Sequence, residues 1–302
     1  MQWIWPAPLI IAISFAPESP WWCVRKGKIE EAKHNLRRLA RSGQDIEHAL
    51  TLMQVTVQQE REAGIGKQYK DCFKGVNLRR TMIACATWGI QILSGTGLRT
   101  CSTYFYRQAG LPSTQAFNMS LIQYALGIVG VFIAWVMLPY FGRRTLYIGE
   151  LIGLQVCLLI IGCLGAVGLT TSISWTIGSM LIVYTVAYDI TVGLICYAIV
   201  SEVPSSELRS KTVVLSRMTY NILNIISNVI TPYMLNPGAW AWRAKAGFFF
   251  AGTCTVALVF TCFHIPETKG RTYAELNVLF IEKTKAWEFK GREVNIASQE
   301  SH

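Results

Sequence analysis

The sequence predicts an all-α, polytopic membrane protein. Of its 302 residues 52% are hydrophobic and only 15% charged, with a mean hydropathy of +0.33, too apolar for an ordinary soluble domain. The apolar residues gather in runs close to the roughly 20 needed to cross about 30 Å of hydrocarbon. The net charge of +10 resides in segments between those runs, where a positive-inside membrane protein carries it. That placement speaks for a lipid bilayer and against nucleic acid as a partner.

The first run, Gln2 to Ala16, has no basic residue before it and ends in PESPWW followed by basic residues. It reads as a partial transmembrane span over 1–17 entering the cytoplasm, and not as a signal peptide. Residues 18–79 are polar and form a cytoplasmic loop. Within them Ile29, Ala32, Leu36, Leu39 and Ala40, then Ile46, Leu50, Met53 and Val57, recur near helical spacing, which predicts two amphipathic helices. Their few large apolar side chains make a thin independent core, so they are expected against the inner ends of the membrane helices. A six-span bundle over 80–266 follows, with spans from Thr81 to Leu98, Ala116 to Leu138, Leu146 to Val167, Ile177 to Val200, Val213 to Leu235 and Ala246 to Ile265. Residues 267–302 are a cytoplasmic tail. Of the 28 Lys and Arg, the outer side receives Arg99, Arg107, Arg243 and Lys245, which places the amino end outside and the carboxyl end in the cytoplasm.

Polar residues inside the spans carry the functional reading. Asp189, Gly193 and Tyr197 fall at i, i+4 and i+8, so one helix would present an acid, a gap and an aromatic on a single face. An ionisable group within an apolar span is costly unless it meets the bundle interior or water, which makes function its default reading and a packing bond to a neighbouring helix the alternative. Asn221, Asn224 and Asn228 follow i, i+3, i+7 spacing with Arg217 one turn earlier. Amides against lipid would leave hydrogen-bonding groups unpaired, so this ladder lines a cavity or bonds another helix. Gln91 and Gly95, one turn apart, are a weaker signal of the same kind. The acid and the ladder are expected to share one watery cleft. Amides, a carboxylate and aromatic rings together suit a sugar, whose hydroxyls donate and accept and whose apolar face stacks on a ring.

Other chemistries lack residues. His34, His48, His264 and His302 are scattered outside the span interiors, and Cys85, Cys157, Cys163, Cys196, Cys254 and Cys262 stand in apolar runs without a C-x-x-C pair. No metal site, disulfide framework or cofactor is expected. Hydrolase elbow, zinc helix, phosphate loop and dinucleotide fingerprint are all missing, so no enzyme is expected. The sequon at Asn118-Met119-Ser120 lies at a membrane entrance and is expected to stay unmodified.

PESPWWCVRKGK at 17–28, FGRRTLY at 141–147, SEVPSSELRSK at 201–211 and PETKGRTYAEL at 266–276 resemble the signature elements of the sugar porter family of the major facilitator superfamily. STYFYRQAGL at 102–111, the stretch from Thr191 to Ile222 and YMLNPGAWAWRAKAGFFF at 233–250 are similar to the fungal maltose and α-glucoside permeases. Such carriers have two six-span halves, and the likeness is to the second, beginning in span six.

The resemblance implies transport of an α-glucoside by alternating access, with proton symport in the full-length form. It implies sugar-binding roles for Gln91, Asp189, Tyr197 and Asn224, to which the ladder adds Asn221. Ile92, Gly97, Cys101, Leu194 and Cys196 depart from the glucose-carrier pattern, which favours a larger α-glucoside over a monosaccharide. Arg143, Arg144, Glu202, Arg209 and Glu267 are expected to form an ion-pair network holding the inner gate, with Pro139 standing where many members have another acid. A lone half offers one wall of a site shared by two halves, so the chain alone is expected to transport little. An inactive truncated gene product and a non-transporting sugar sensor are the alternatives; the short tail after Pro266 speaks against the sensor.

Overall fold

A computed structural model describes residues 6–39, 46–64, 68–108, 110–167, 170–205, 207–289 and 291–292. Gln2 to Trp5 of the first run, Ala40 of the first amphipathic helix and His302 lie outside the described residues. The chain divides into two compact units, 1–67 and 68–302.

In the first unit α1 (Pro6–Phe15) is apolar except for Ser14 and exposes Leu9, Ile10, Ile13 and Phe15. Helix α2 (Pro20–Arg25) starts with Pro20 at its first turn, where the missing N–H costs nothing. Helices α3 (Ile29–Leu39) and α4 (Ile46–Gly64) are the two amphipathic helices that the spacing predicts. Cys23, Val24, Ala32, Leu50 and Val57 form their buried seam, with Ile29, Leu36 and Met53 against it. Lys33 pairs with Glu47 across α3 and α4.

The second unit begins with a short 3₁₀ turn, Tyr69–Phe73, and α5 (Gly75–Gln91). Residues 68–79, assigned by sequence to the loop, therefore belong to this unit; Thr81 Oγ1 donates to the Cys72 carbonyl at 2.9 Å. A π-helical turn (Ile92–Thr96) with Gly95 at φ 106° follows, then α6 (Gly97–Thr100) and α7 (Ser102–Gln108). Long helices α8 (Ser113–Met137) and α9 (Arg143–Val167) come next. Helix α10 (Thr171–Ile190) breaks at Thr191, with φ −135° and ψ −67°, before α11 (Val192–Glu202). The unit ends with α12 (Arg209–Leu235), α13 (Ala246–His264) and α14 (Tyr273–Ile281). Two spans expected as single helices are thus interrupted, at Gly95 and Thr191.

Four stretches among the described residues are long and apolar enough to cross a membrane: 113–137, 143–167, 171–202 and 243–264. Helix α12 is long enough, but Arg209, Lys211, Arg217 and its amides make it too polar by composition.

Helix α8 packs on α10, α9 on α10 and α13, and α5 on α11 and α12. Small residues allow the closest approaches, as expected where lipid offers no hydrophobic drive between helices. A Cβ at Gly247 would stand 2.8 Å from the Leu158 carbonyl oxygen and 2.9 Å from the Gly162 nitrogen, so α13 and α9 touch backbone to backbone. Tyr147, Leu151, Leu154, Leu158 and Ile161 of α9 and Leu181 and Tyr184 of α10 are buried in the core. The outer face of α8 carries Phe117, Leu121, Ile128, Phe132 and Trp135, a surface suited to lipid.

Candidate functional site

Each helix interruption frees backbone carbonyls that must find donors. At the first, the Gln91 carbonyl accepts from Thr96 Oγ1 and, at 3.4 Å, from Tyr188 Oη. Thr253 Oγ1 donates to the Leu93 carbonyl at 2.6 Å, and Tyr184 Oη to the Ser94 carbonyl at 2.8 Å. At the second, Gln91 Nε2 donates to the Val192 and Gly193 carbonyls at 3.1 and 3.3 Å. One glutamine therefore stands between the two breaks, and its buried amide serves the backbone.

The break at Thr191 interrupts the helix that the sequence predicts for Asp189, Gly193 and Tyr197. Asp189, on α10, turns toward α8, where a Cβ at Gly127 would lie 2.5 Å from its Oδ2 and one at Gly130 3.5 Å from its Cβ. Its Oδ1 accepts from Arg99 Nη1 at 2.7 Å, and the Arg99 guanidinium also covers the Tyr188 ring at 4.7 Å. Tyr197, on α11, is 56% exposed and meets Trp88 edge-on at 4.9 Å. Asp189 and Gly193 stay neighbours across the break, a Cβ at Gly193 lying 3.9 Å from Asp189 Oδ1, whereas Tyr197 turns to Trp88.

The amide ladder holds its spacing on α12, with Asn224 half-buried and Asn221 and Asn228 exposed on the outer face of the unit. Asn228 Nδ2 donates to Asn224 Oδ1 at 3.2 Å, so part of the ladder pairs with itself. Among the described residues no hydrogen bond or ion pair joins Asp189 to Tyr197, Asn221 or Asn224. Asp189 faces α8 and Arg99, whereas Asn221 and Asn228 are exposed on α12.

Tyr197 and the ladder are linked instead through a group unnoticed in the sequence. Trp88 packs against Tyr197 and, at 5.2 Å, Tyr220. The Arg217 guanidinium lies 4.5 Å from the Trp88 ring and 4.4 Å from that of Tyr220. Residue 217 is one turn before Asn221, so an aromatic and cationic platform continues into the ladder.

At the other end, Arg143 Nη2 pairs with Glu202 Oε1 at 3.3 Å. Glu267 accepts from the Arg143 backbone N–H at 2.8 Å and the Lys269 N–H at 3.2 Å, capping the start of α9 where free N–H groups attract an anion. The five-residue network forms only in part. Arg144 donates to the Cys262 carbonyl at 2.8 Å, and Arg209 lies over the Tyr273 ring at 4.3 Å. Helix α14 supplies that ring, and its docking was unforeseen; Arg80 Nη2 reaches Asn277 Oδ1 at 2.7 Å. Between α5, α11 and α14 lies a cavity of about 470 Å³ lined by Arg80, Glu202, Tyr273 and Asn277.

The sequence reading also passed over Glu150, whose carboxylate accepts from Thr191 Oγ1. It obeys the rule that singled out Asp189, an acid within an apolar run.

Comparison with known proteins gives this arrangement a lineage. Residues 1–280 match the family model "Sugar (and other) transporter". The general alpha-glucoside permease of Saccharomyces cerevisiae is 45% identical over 96% of this chain and 48% of its own length. Maltose permease MAL31 of the same yeast is 40% identical over 98% of this chain and 49% of its own. The chain spans about half the length of the curated relatives it matches. In fold it is similar to a major facilitator superfamily proton:xylose symporter, XylE, solved with 6-bromo-6-deoxy-D-glucose, at a TM-score of 0.70 and 20% identity over 91% of this chain and 57% of that one. By the match to most of its length, this chain belongs to the sugar transporter family.

Proposed function

We propose that the chain is the second half of an α-glucoside carrier of the maltose type, multi-pass in the plasma membrane, working by alternating access. In the full-length form it moves a proton with the sugar. The observation that carries this reading is the exposed pair Tyr197 and Arg217, held on the buried Trp88 ring and continuing into Asn221 and Asn224. A ring for an apolar sugar face beside amides for its hydroxyls is what a glucoside needs. Gln91 acts behind that wall by shaping the backbone at Val192 and Gly193. Asp189 reaches the solute only when Arg99 releases it. The Arg143–Glu202 pair and the Glu267 cap close the inner end, and their making and breaking biases a two-state equilibrium.

The names of the two yeast relatives support an α-glucoside as the sugar. The orientation, amino end outside and carboxyl end in the cytoplasm, rests on the charge bias, and the division into partial span, loop, six-span bundle and tail rests on the apolar runs.

The test is uptake of labelled maltose by yeast lacking α-glucoside carriers. The chain alone should give no uptake. Joined behind the first half of the general alpha-glucoside permease it should restore uptake with alkalinisation of the medium, and Tyr197→Ala should abolish both. The reading fails if that chimera carries no α-glucoside while one rebuilt from the permease's own two halves does, or if the chain alone transports.

A further inference from the structure

We propose that Glu150 is a proton-binding site of this chain, taking up and releasing a proton at the break between α10 and α11. Three observations meet there. First, one oxygen of Glu150 accepts from Thr191 Oγ1, and Thr191 is the residue at which the helix breaks. Second, the other oxygen, Oε1, is buried and has no hydrogen-bond partner among the described residues. A charged carboxylate with an unpaired oxygen away from water is costly, and a neutral acid far less so. Third, among the described residues no Lys or Arg forms an ion pair with Glu150.

Helices α10, α11 and α13, the π-helical turn and a 3₁₀ turn, Arg243–Lys245, pack against α9, the last at Gly165 near the opposite end of α9 from Glu150. Around the depth of Glu150 they bring Tyr184, Tyr188 and Asp189 from α10, Cys196 from α11 and Cys254 from α13, whose Sγ lies 3.7 Å from the Leu151 carbonyl. Tyr147 and Cys157 lie on α9 itself, and the π-helical turn adds no ionisable group. The cations nearest these groups are Arg99, already paired with Asp189, and Arg217, which lies over the Trp88 and Tyr220 rings. An ionised Glu150 would therefore have no cation of its own among the described residues.

The proton enters from water as a hydron and adds to one carboxylate oxygen. Its loss leaves a carboxylate competing with Asp189 for Arg99, two residues from the break. Proton occupancy and the geometry at Thr191 are thereby tied. This adds to the proton coupling proposed above a site within the chain itself, and its test needs no sugar, so failure here leaves the solute reading standing.

The experiment is infrared difference spectroscopy of the purified 302-residue chain in lipid nanodiscs, stepped in pH above about 6, where exposed carboxyls are already ionised. A titrating carboxylic acid C=O band is expected, lost in Glu150→Gln and retained in Asp189→Asn. Thr191→Val keeps the acid and removes its donor, so it should move the band to higher wavenumber. Should Glu150→Gln not fold, that shift alone carries the assignment. No protonated carboxyl band in the wild-type chain over this range overturns the proposal. So does a band that Glu150→Gln leaves in place, or, where that variant does not fold, one that Thr191→Val leaves unmoved.

Discussion

Arg99 Nη1 stands 2.7 Å from Asp189 Oδ1, joining the short helix that follows one interruption to the end of the helix that precedes the other. Side-chain exposures of 24% and 19% leave both groups largely withdrawn from water. Removing one partner strands the other charge, whereas removing both removes the problem. Arg99→Ala is expected to destabilise the chain by roughly 2–4 kcal/mol, and adding Asp189→Asn should recover most of that. Thermal unfolding in detergent, set out as a double-mutant cycle, measures the coupling. Additive single effects would mean that the pair contributes nothing.

The helices were legible in the sequence because burial from water dictates composition, so apolar runs mark α8, α9, α10 with α11, and α13. Their interruptions were not. Thr191 is an ordinary residue, and the Gln91 amide that meets the carbonyls after it comes from 101 positions away. The Arg99–Asp189 pair is likewise tertiary, so charge patterning could place Arg99 only in an outer segment. Two features could have been read directly. Glu150 meets the criterion that picked out Asp189, and Thr272-x-x-Glu275 is a capping box announcing α14. Of the candidate site, the amide ladder was legible as a periodic stripe, whereas its aromatic neighbours depend on how α5 lies against α11 and α12.

Gly247 is where α13 meets α9 backbone to backbone. A methyl group there would stand 2.8 Å from the Leu158 oxygen and 2.9 Å from the Gly162 nitrogen, atoms that no rotamer change can move. Gly247→Ala is expected to cost about 1–3 kcal/mol, as overpacking does, and Gly247→Val more. At Gly252, where a Cβ meets nothing within 4 Å, alanine should be neutral or slightly stabilising through helix propensity. Matched unfolding curves of the two alanine variants check this; equal stability would refute the close approach.

Helix α14 should respond to acid through its capping box. The Glu275 carboxylate accepts from the Thr272 backbone N–H at 2.7 Å, and that bond holds its carboxyl below the ordinary range. A carboxyl depressed on folding stabilises fully above its unfolded value, and the contribution is lost as pH falls through the folded one. Hydrogen exchange over 273–281 is therefore expected to lose protection on acidification beyond the intrinsic rate change, and Glu275→Ala should remove that extra loss. If the alanine variant shows the same acid response, the cap is not its origin.

Gln91 ties the two interruptions together, and the consequence is local before it is global. Its side chain is 5% exposed, and its amide nitrogen serves the carbonyls of Val192 and Gly193. Gln91→Leu keeps much of the volume but withdraws both hydrogen bonds, at about 0.5–1.5 kcal/mol each, because these carbonyls open α11 and keep their bonds inside it. Gln91→Glu keeps the shape and replaces the donor by an oxygen facing two carbonyls, so it should be worse than leucine. Hydrogen exchange should rise first at residues 192–195, whose N–H groups begin α11, and only then across the bundle. A uniform rise would make Gln91 a packing residue alone, whereas a rise confined to α11 makes it the strut on which the broken helix rests.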